Sequence, residues 1–456
     1  MPLQKNQVLT LRVERLSSDG SGVAHSPDGE TVFIPGAAPG DEARVRIVKD
    51  CKRYAFGILD EVLTPSPDRI PVDCAVAGPC GGCSLRHLDY AAELRAKQEN
   101  VADAFARIGG LDVPVLPIVG SPEVNRYRNK VQFPVGVDKS GKPCIGFYAG
   151  RTHRIVPCPD CRLQPGVLNE IGNALCAFFA EKGIQPYSEE TGRGLVRHIF
   201  LRRGAHSGQI MVCLVCTRAK LPSAEELCTR LKAQFAEITT ILLNVNAKNT
   251  NVMLATEIHT LYGQGYIEDT LCGVPVQLGP LSFYQVNTLA AEQLYGIAAQ
   301  YAQLTPDDLL LDLYCGMGTI GLSMAAHCRE LIGVEIVPEA IESAKANAAR
   351  MGADVAAKSR FFCADAGQAA TRLAAEGLHP DIVMLDPPRK GCDEATLSAV
   401  VRMSPRRVVY VSCNPATAAR DAAWLEQNGY HAEKVQPVDL FPRTRHCECV
   451  LSLSKV

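Results

Sequence analysis

The stretch Leu309-Leu-Leu-Asp-Leu-Tyr-Cys-Gly-Met-Gly-Thr-Ile-Gly321 decides the fold of the C-terminal part of this chain. It runs from an apolar, strand-like segment into a glycine-rich turn and then into residues that favour a helix. From about Gly265 onward, further apolar runs alternate with helical patterns. Alternating strands and helices are typical of a doubly wound parallel sheet, so residues 265–456 are predicted to form a Rossmann-like α/β domain.

The glycine-rich turn indicates a cofactor site, because glycines let the backbone approach a ligand closely. A nicotinamide dinucleotide would need its pyrophosphate at the helix N-terminus. S-adenosylmethionine has no phosphate and carries a sulfonium cation, which nearby carboxylates attract. Acidic residues near the ends of successive predicted strands favour S-adenosylmethionine, and the alternative is a domain whose acids only cap helices. These acids are Asp312, Glu335, Asp365 and Asp386.

Two Pro-bearing motifs, Asp386-Pro-Pro-Arg389 and Ser412-Cys-Asn-Pro415, follow predicted strands near the C-terminus. Because an α/β sheet displays its working residues at the ends of its strands, we expect one edge to carry a carboxylate, a guanidinium and a thiol. Cys413 is a candidate nucleophile if its surroundings favour the thiolate. The alternative is a small buried cysteine at a strand end.

The chain has 456 residues, too many for one hydrophobic core, and we expect three domains. Residues 1–62 alternate short β-prone runs with turn sequences such as Asp19-Gly-Ser-Gly22, which is typical of a five-stranded barrel of the oligonucleotide-binding kind. Residues 63–264 are predicted to form a mixed α/β central domain that is rich in strands. Residues 265–456 would then be the catalytic domain.

Bulk composition limits the classes of partner. The chain has 47 basic and 49 acidic residues, so nucleic-acid binding must depend on local basic patches. No apolar run approaches membrane-spanning length and nothing at the N-terminus resembles a signal peptide, so we expect a cytoplasmic protein without membrane contact. The 19 cysteines then favour thiols or metal ligands over a disulfide framework.

Most cysteines lie in apolar runs and are expected to be small core residues. The core candidates are Cys176, Cys213, Cys216, Cys363, Cys447 and Cys449.

A Pro/Gly-rich loop carries Cys74, Cys80 and Cys83 outside any apolar context, and Cys158-Pro-Asp-Cys161 follows much later. Metal ligation explains such thiols better than core packing, and four thiolates suit zinc or a [4Fe-4S] cluster. A zinc ribbon would use the pairs Cys80/Cys83 and Cys158/Cys161 and leave Cys74 without a role. In such ribbons, however, the two pairs are usually separated by about 15–20 residues.

Two basic stretches are candidate RNA surfaces, because cations meet phosphates and aromatic rings stack on unpaired bases. A solvated surface is the alternative for each. The first contains Arg126, Arg128, Lys130, Lys139, Lys142, Arg151, His153 and Arg154 with Tyr127, Phe133 and Tyr148, and the second contains Arg193, Arg197, His198, Arg202 and Arg203.

Five ordered motifs resemble one known family. They are Phe283-Tyr-Gln-Val-Asn287, Asp312-Leu-Tyr-Cys-Gly-Met-Gly318, Leu385-Asp-Pro-Pro-Arg-Lys-Gly391, Tyr410-Val-Ser-Cys-Asn-Pro415, and Asp439-Leu-Phe-Pro442 with Glu448. The chain resembles the class I RNA 5-methyluridine methyltransferases, which methylate carbon 5 of uracil in ribosomal or transfer RNA. The resemblance covers nearly the whole chain, because the family's N-terminal TRAM barrel and its cluster-binding cysteines also have counterparts.

The resemblance implies a role for each matching position. Cys413 would be the nucleophile and Glu448 the general base, and Arg389 would lie beside the target base or its phosphate. A surface glutamate on an edge strand is the alternative for Glu448, and His446, two residues away on the same face of the predicted strand, is another candidate base or substrate contact. The S-adenosylmethionine pocket would be lined by Gln285, Tyr314, Thr319, Glu335, Asp365 and Asp386, although the family often has Asn where this chain has Thr319. A structural [4Fe-4S] cluster would be held by Cys74, Cys80, Cys83 and Cys161, with Cys158 as a spare thiol.

The expected function is therefore methylation of a uridine in a loop or hairpin of 23S ribosomal RNA by a monomeric enzyme, with S-adenosylmethionine as methyl donor. Transfer RNA is the alternative substrate. A methyltransferase acting on an exocyclic nitrogen needs no thiol, so Arg389 and Cys413 speak against it. A cluster-bearing RNA-binding protein with a vestigial catalytic domain would bind RNA but transfer nothing.

Overall fold

The computed structural model describes residues 3–150, 152–248 and 252–456. Arg151 of the first basic stretch therefore lies outside the described residues. The chain forms two compact units, each built from separate segments. Unit 1 comprises Met1–Val124, Pro387–Cys392 and Val409–Val456, and unit 2 comprises Asn125–Asp386 and Asp393–Val408. The domain boundaries expected at residues 62 and 264 stay predictions.

Unit 1 begins with a closed five-stranded barrel, which confirms the expected oligonucleotide-binding type. Its strands are β1 (Val8–Leu16), β2 (Ser21–His25), β3 (Thr31–Pro35), β4 (Glu42–Asp50) and β5 (Tyr54–Thr64). They close in the order β1-β2-β3-β5-β4, and β3 and β5 are parallel. Alternate side chains point inward, and Ile34, Val45 and Ile47 are fully buried there.

Strand β2 was not expected, because its first residues belong to a turn-like Gly-Ser-Gly sequence. The strand needs those small residues: a Cβ atom at Gly22 would lie 2.9 Å from both Ala37 Cβ and Val13 Cγ1. Close packing inside the barrel thus selects glycine where the sequence pattern alone predicts a turn.

Two helices follow the barrel. The short α1 (Ala77–Cys80) lies in the cysteine loop, and α2 (Tyr90–Asp103) is extended by a π-helical turn over Ala104–Gly109. Asp89 caps α2 by accepting hydrogen bonds from the backbone N–H groups of Ala91 and Ala92.

The first part of unit 2 is a seven-stranded sheet. Its elements are β6 (Lys130–Val137), β7 (Pro143–Tyr148), β8 (Ile155–Pro157), α3 (Gly166–Glu181), β9 (Val196–Arg203), β10 (Ile210–Cys216), α4 (Ala224–Gln234), β11 (Ile238–Val245) and β12 (Ile258–Tyr262). The strand order is β12-β11-β10-β9-β6-β7-β8. Residues of α3 and α4 share one core cluster with these strands, as the predicted mixed α/β architecture requires.

The second part of unit 2 is the predicted Rossmann-like region. It contains the hairpin β13 (Ile267–Leu271) and β14 (Val274–Leu278), then α5 (Thr288–Ala302), β15 (Leu309–Leu313), α6 (Thr319–Met324), β16 (Glu330–Glu335), α7 (Pro338–Met351), α8 (Ala353–Lys358), β17 (Ser359–Cys363), α9 (Ala366–Ala375), β18 (Ile382–Leu385) and α10 (Glu394–Met403). The strands β17, β16, β15 and β18 are neighbours in that order, and each pairing is parallel. The central strand β15 is buried along its whole length.

The C-terminal part of unit 1 holds β19 (Arg407–Ser412), whose last four residues belong to this unit, α11 (Pro415–Gln427), β20 (Tyr430–Val438) and β21 (Glu448–Lys455). The strand order is β19-β21-β20, and β20 pairs with β21 in antiparallel register with Val438 opposite Glu448. Across the described parts of the chain, no helix combines the length and apolar character needed to cross a membrane.

Candidate functional site

The glycine-rich turn after β15 is shaped by Asp312. Its Oδ2 accepts a hydrogen bond of 3.0 Å from the Gly321 N–H, and a Cβ atom at Gly321 would lie 2.8 Å from the same oxygen. Its Oδ1 is buried without a hydrogen-bond partner among the described residues. Open space lies beside Gly316, where φ is +54°. An unpaired carboxylate oxygen and an open glycine turn suit a ligand that carries positive charge.

Burial, followed by the negative charges of Asp386 and Glu335, raises the pKa of Asp312 to about 8, against the opposing hydrogen bond from Gly321. Burial alone raises the pKa of Asp386 to about 7. Two carboxyl groups of unit 2 are thus partly protonated at neutral pH. A bound cation would favour their ionised forms.

Glu335 and Asp365 are already engaged with backbone donors. The carboxylate of Glu335 accepts hydrogen bonds from the N–H groups of Gly316, Ile336 and Val337, at 3.1, 2.8 and 3.0 Å. Asp365 caps α9 by accepting from the Gln368 N–H. Each carboxylate oxygen can accept more than one bond, so both side chains are held in place and can still bind a ligand.

The remaining cofactor candidates surround a buried tyrosine that the sequence did not single out. The Tyr295 hydroxyl is hydrogen-bonded to the side chains of Thr319 and Gln285. Tyr314 occupies the left-handed region at φ +67°, and its hydroxyl lies 3.4 Å from Thr396 Oγ1. A non-glycine residue held in this region is a feature of functional turns.

Exposed apolar side chains next to these candidates were also missed. Ile336 and Val337, which follow Glu335 directly, are 61% and 45% exposed, and Phe283, two residues before Gln285, is 75% exposed. Large apolar groups left in water suggest a surface that a ligand covers. Hydrophobicity alone predicted core positions here, so the sequence offered no signal.

In unit 1, Cys413 lies on a tight turn between β19 and α11. Ser412 Oγ accepts a hydrogen bond from the Asn414 N–H at 3.0 Å, and Asn414 caps α11 by accepting from the Ala416 N–H. The thiol is half-buried. A position at the N-terminus of a 13-residue helix favours the thiolate, because the helix dipole is positive there.

The segment Pro387–Cys392 is fastened to this turn. The Arg389 carbonyl accepts from Asn414 Nδ2 at 3.0 Å, and Asp421 of α11 accepts from the Cys392 N–H at 2.8 Å and from the Tyr410 hydroxyl at 2.6 Å. The guanidinium-bearing and thiol-bearing motifs are therefore parts of one rigid assembly, as the sequence predicted for Arg389 and Cys413.

A cavity of about 600 Å³ opens at Cys413 within unit 1. Its walls come from the barrel, from α2 with its π-helical extension, and from the segment before β21. The charged residues lining it are Arg15, Asp19, Lys97, Asp103, Arg107, Arg389 and Arg445. Cations outnumber carboxylates in this lining, and Phe33 of the barrel adds an aromatic ring. The participation of the barrel could not be foreseen, because about 400 residues separate it from Cys413.

Glu448 is the first residue of β21 and is buried at 6% exposure. Burial first, and then the charges of Cys447, Glu448 and Cys413, raise the pKa of the neighbouring Cys449. His446 lines the cavity and lies before the strand rather than on it. Cys447 and Cys449 are buried, which confirms their predicted packing role.

Comparison with known proteins decides the family. A model described as tRNA (uracil-5-)-methyltransferase matches residues 200–456, and a TRAM-domain model matches residues 2–59. The chain belongs to the tRNA (uracil-5-)-methyltransferase family. It is an RNA methyltransferase whose N-terminal barrel is a TRAM domain.

Relatives of this methyltransferase match along its whole length. An uncharacterized RNA methyltransferase of Halalkalibacterium halodurans is 42% identical over 453 residues, which cover 99% of this chain and 98% of that protein. Another, of Bacillus cereus, is 41% identical over 456 residues, covering 100% and 98%. The crystal structure of Pyrococcus abyssi tRNA (uracil-54, C5)-methyltransferase in complex with S-adenosyl-L-homocysteine matches with a TM-score of 0.77 and 27% identity, covering 98% of this chain and 100% of that one.

The cysteine loop of the methyltransferase is exposed to solvent in part. Cys74, Cys80 and Cys83 are half-buried, and so is Cys161 in unit 2, whereas Cys158 is buried at 2% exposure. Within the described ranges, no group of three or more His, Cys, Asp or Glu side chains is placed to hold a metal ion. Cys176, Cys213 and Cys216 are buried as predicted, but Cys363 is exposed because it ends the edge strand β17.

The second basic stretch is largely structural, which corrects the expectation that it forms an RNA surface. Arg197 is buried and donates to the carbonyls of Asn246 and Lys248. Arg202 is buried and donates to two further carbonyls. Burial lowers the pKa of His198 to about 4, so this imidazole is neutral at pH 7.

The first basic stretch also contains both structural residues and solvent-exposed cations. Tyr127 and Phe133 are core residues, and Arg126 donates to the carbonyls of Cys161 and Gln164. Several of its other described cations are exposed and are the better candidates for phosphate contacts. They include Lys139, Lys142 and Arg154.

Proposed function

We propose that this methyltransferase transfers a methyl group from S-adenosylmethionine to carbon 5 of a uridine in RNA, through a covalent bond between Cys413 and the base. One observation carries the proposal: Cys413 sits on a strand-to-helix turn in a cation-rich cavity, with Arg389 beside it and Glu448 at the start of β21. A cavity of about 600 Å³ is large enough to admit a nucleotide turned out of its stack.

The reaction needs a thiolate because carbon 5 of uracil is a weak nucleophile. Cys413 Sγ bonds to carbon 6, and the displaced electron pair makes the ring an enolate with negative charge on carbon 5. Cations lining the cavity, among them Arg389 and Arg445, favour the thiolate. When bound, S-adenosylmethionine would supply an electrophilic methyl group on its sulfonium, and carbon 5 would bond to that methyl as the bond to sulfur breaks and S-adenosylhomocysteine leaves.

The second half of the reaction needs a base. Glu448 would accept the proton from carbon 5, and the C–H electron pair would re-form the ring double bond as the bond between carbon 6 and Cys413 breaks. The thiolate is thereby regenerated. Glu448 directly follows the cavity-lining residues His446 and Cys447, which supports this assignment, and His446 in the cavity wall is the alternative base.

The cofactor is proposed to bind in unit 2. Glu335 would accept hydrogen bonds from the ribose hydroxyls, and the carboxylates of Asp365 and Asp386 would face the other polar groups of the ligand. The side chains of Gln285, Tyr314 and Thr319 would complete the pocket. The buried, unpaired oxygen of Asp312 fits a ligand with positive charge, and exposed Ile336 and Val337 offer an apolar surface for an adenine ring.

Replacement of Cys413 by Ala tests the nucleophile. Fluorine at carbon 5 blocks the proton-removal step, so an adduct between the enzyme and RNA containing 5-fluorouridine persists once it has formed. The Cys413→Ala variant should form no such adduct. Cys51→Ala, which removes a half-buried barrel thiol, is the matched control and should behave like the wild type. Methyl transfer by Cys413→Ala would exclude the covalent mechanism.

Replacement of Glu448 by Gln tests the base. The amide is close to isosteric but cannot take a proton, so a covalent adduct should accumulate on ordinary uridine RNA and product release should be lost. Gel electrophoresis under denaturing conditions separates adduct from free enzyme. Release of methylated RNA at the wild-type rate would assign the base to another residue such as His446.

The substrate is proposed to be 23S ribosomal RNA, because a TRAM barrel and a cysteine cluster together resemble the ribosomal branch of the family. The whole-chain match to a tRNA enzyme of Pyrococcus abyssi favours transfer RNA as the second candidate. Mass spectrometry of both RNA pools from cells lacking the protein distinguishes them. Loss of a methyl group from transfer RNA alone would overturn the ribosomal assignment.

A [4Fe-4S] cluster held by Cys74, Cys80, Cys83 and Cys161 belongs to the same proposal. Three of these thiols share one loop and are half-buried, and four thiolates are the donor set that such a cluster uses. Against the effect of burial, contacts with Cys83 and Asp73 raise the pKa of Arg86, which places a cation beside the loop. Iron and sulfide analysis after anaerobic purification tests the cluster, and stoichiometric zinc would refute it.

A further inference from the structure

The motif Asp439-Leu-Phe-Pro442 has no role in the chemistry proposed above, yet it holds a fully buried carboxylate in unit 1. Asp439 Oδ1 accepts hydrogen bonds from Lys97 Nζ at 2.8 Å and from the Phe441 N–H at 3.0 Å. Its Oδ2 accepts from the Tyr90 hydroxyl at 2.9 Å. The carboxylate is thus held by helix α2, more than 340 residues earlier in the chain.

Lys97 is the centre of this network. Its side chain is 1% exposed, and its ammonium donates to Glu93 Oε1 at 2.7 Å and to the Phe441 carbonyl at 3.2 Å, in addition to Asp439. A buried ammonium is tolerated only when carboxylates and hydrogen-bond acceptors surround it. The three acceptors fix the position of the lysine and, through it, the position of the Asp439 segment.

A second attachment holds the far end of the same segment. The Arg443 N–H donates to Glu93 Oε1 at 2.7 Å, and its guanidinium donates to the Leu88 carbonyl at 2.8 Å. Arg443 occupies the left-handed region at φ +68°, which a residue with a side chain adopts only when its surroundings require it. The segment is therefore fastened at both ends to α2 and the residues just before it.

The fastened segment leads directly into the reaction site. Arg445, His446 and Cys447 line the cavity that contains Cys413, and Glu448 follows as the first residue of β21. Lys97 lines the same cavity. We propose that Lys97 is a positioning residue that fixes the segment Asp439–Cys447 and thereby aims Glu448 for proton removal. This inference rests on the proposed function.

The replacement Lys97→Met tests the role. Since the thiol turn is held by other contacts, Cys413 should still attack, and trapping by 5-fluorouridine RNA should match the wild type. Proton removal should slow, so the adduct should accumulate on ordinary uridine RNA and kcat should fall about 10- to 100-fold, with KM for RNA little changed. A lysine that only stabilised the fold would not produce adduct accumulation.

Arg69→Met is the matched control, because Arg69 forms another ion pair of unit 1 with a fully buried carboxylate, Asp41. It should reduce thermal stability without adduct accumulation, and accumulation in this variant would overturn the inference. If Lys97→Met does not fold, Tyr90→Phe decides, since it removes one hydrogen bond from Asp439 and should cause weaker accumulation.

Wild-type product release by a folded Lys97→Met variant, or by Tyr90→Phe where that variant decides, would refute the positioning role. Failure of the wild-type enzyme to form any adduct with 5-fluorouridine RNA would instead refute the proposed function itself. The two failures are therefore distinguishable in one set of assays.

Discussion

The raised pKa values of two carboxyl groups in unit 2 predict that affinity for S-adenosylmethionine depends on pH. With a pKa of about 7, Asp386 is about one tenth ionised at pH 6 and about nine tenths ionised at pH 8. A permanent sulfonium charge favours the ionised carboxylate, so binding releases a proton in this range. The dissociation constant should fall about tenfold from pH 6 to pH 8.

The assay is calorimetric titration with S-adenosylmethionine and, as control, with S-adenosylhomocysteine, which lacks the sulfonium charge. The ratio of the two dissociation constants isolates that charge, because groups common to both ligands cancel. The ratio should change across the range for the wild type and change less for Asp386→Asn, in which only Asp312 still titrates. A ratio that is independent of pH in the wild type would refute the electrostatic account of the pocket.

The same two carboxyl groups predict that the ligand-free protein becomes less stable as pH rises, although its affinity for S-adenosylmethionine increases. Asp386 and Asp312 have folded pKa values of about 7 and about 8, above the ordinary value of 3.8, so the folded state keeps protons that the unfolded chain has lost. Their contribution to stability is complete below about pH 4 and is lost as pH rises through about 8. Urea denaturation in that range should show the decrease in the free energy of unfolding, and Asp386→Asn should weaken it.

Two further predictions concern the assembly around Cys413. Tyr410→Phe removes the hydroxyl that donates a hydrogen bond of 2.6 Å to buried Asp421. The free energy of unfolding in urea titrations should fall by about 1.5–3 kcal/mol. An unchanged value would show that Asp421 finds another donor. Gly391→Ala should reduce turnover with little change in secondary structure. Gly391 has a φ of +79°, and a Cβ atom there would lie 2.6 Å from Asp421 Oδ2. A wild-type kcat would contradict this prediction.

Sequence patterns predicted the elements whose residues lie close together in the chain. The strand–turn–helix around Asp312 and the burial of Cys213 and Cys216 follow from local sequence patterns, and all are confirmed. The acids and glycines of the turn were found for the same reason: one short segment contains both the structural signal and the chemical one.

Features that depend on distant partners could not be predicted. Charge alone made Arg197 and Arg202 candidates for RNA binding, but carbonyl groups elsewhere in unit 2 hold them in the interior. Apolar neighbours suggested that Cys363 was buried, although its strand lies at a sheet edge. The burial of the Lys97 ammonium depends on a carboxylate 342 residues away as well as on nearby Glu93.

Unit 1 draws on both the first 124 residues and the last 48, and this has a consequence for biosynthesis. A growing polypeptide can close its barrel early, but the ammonium on helix α2 then has only one of its two carboxylate partners, because Asp439 has not yet been translated. Burying it at that stage would cost several kcal/mol, so α2 has to stay loosely packed until the final strands emerge. The cavity at Cys413 therefore cannot assemble before synthesis is nearly complete.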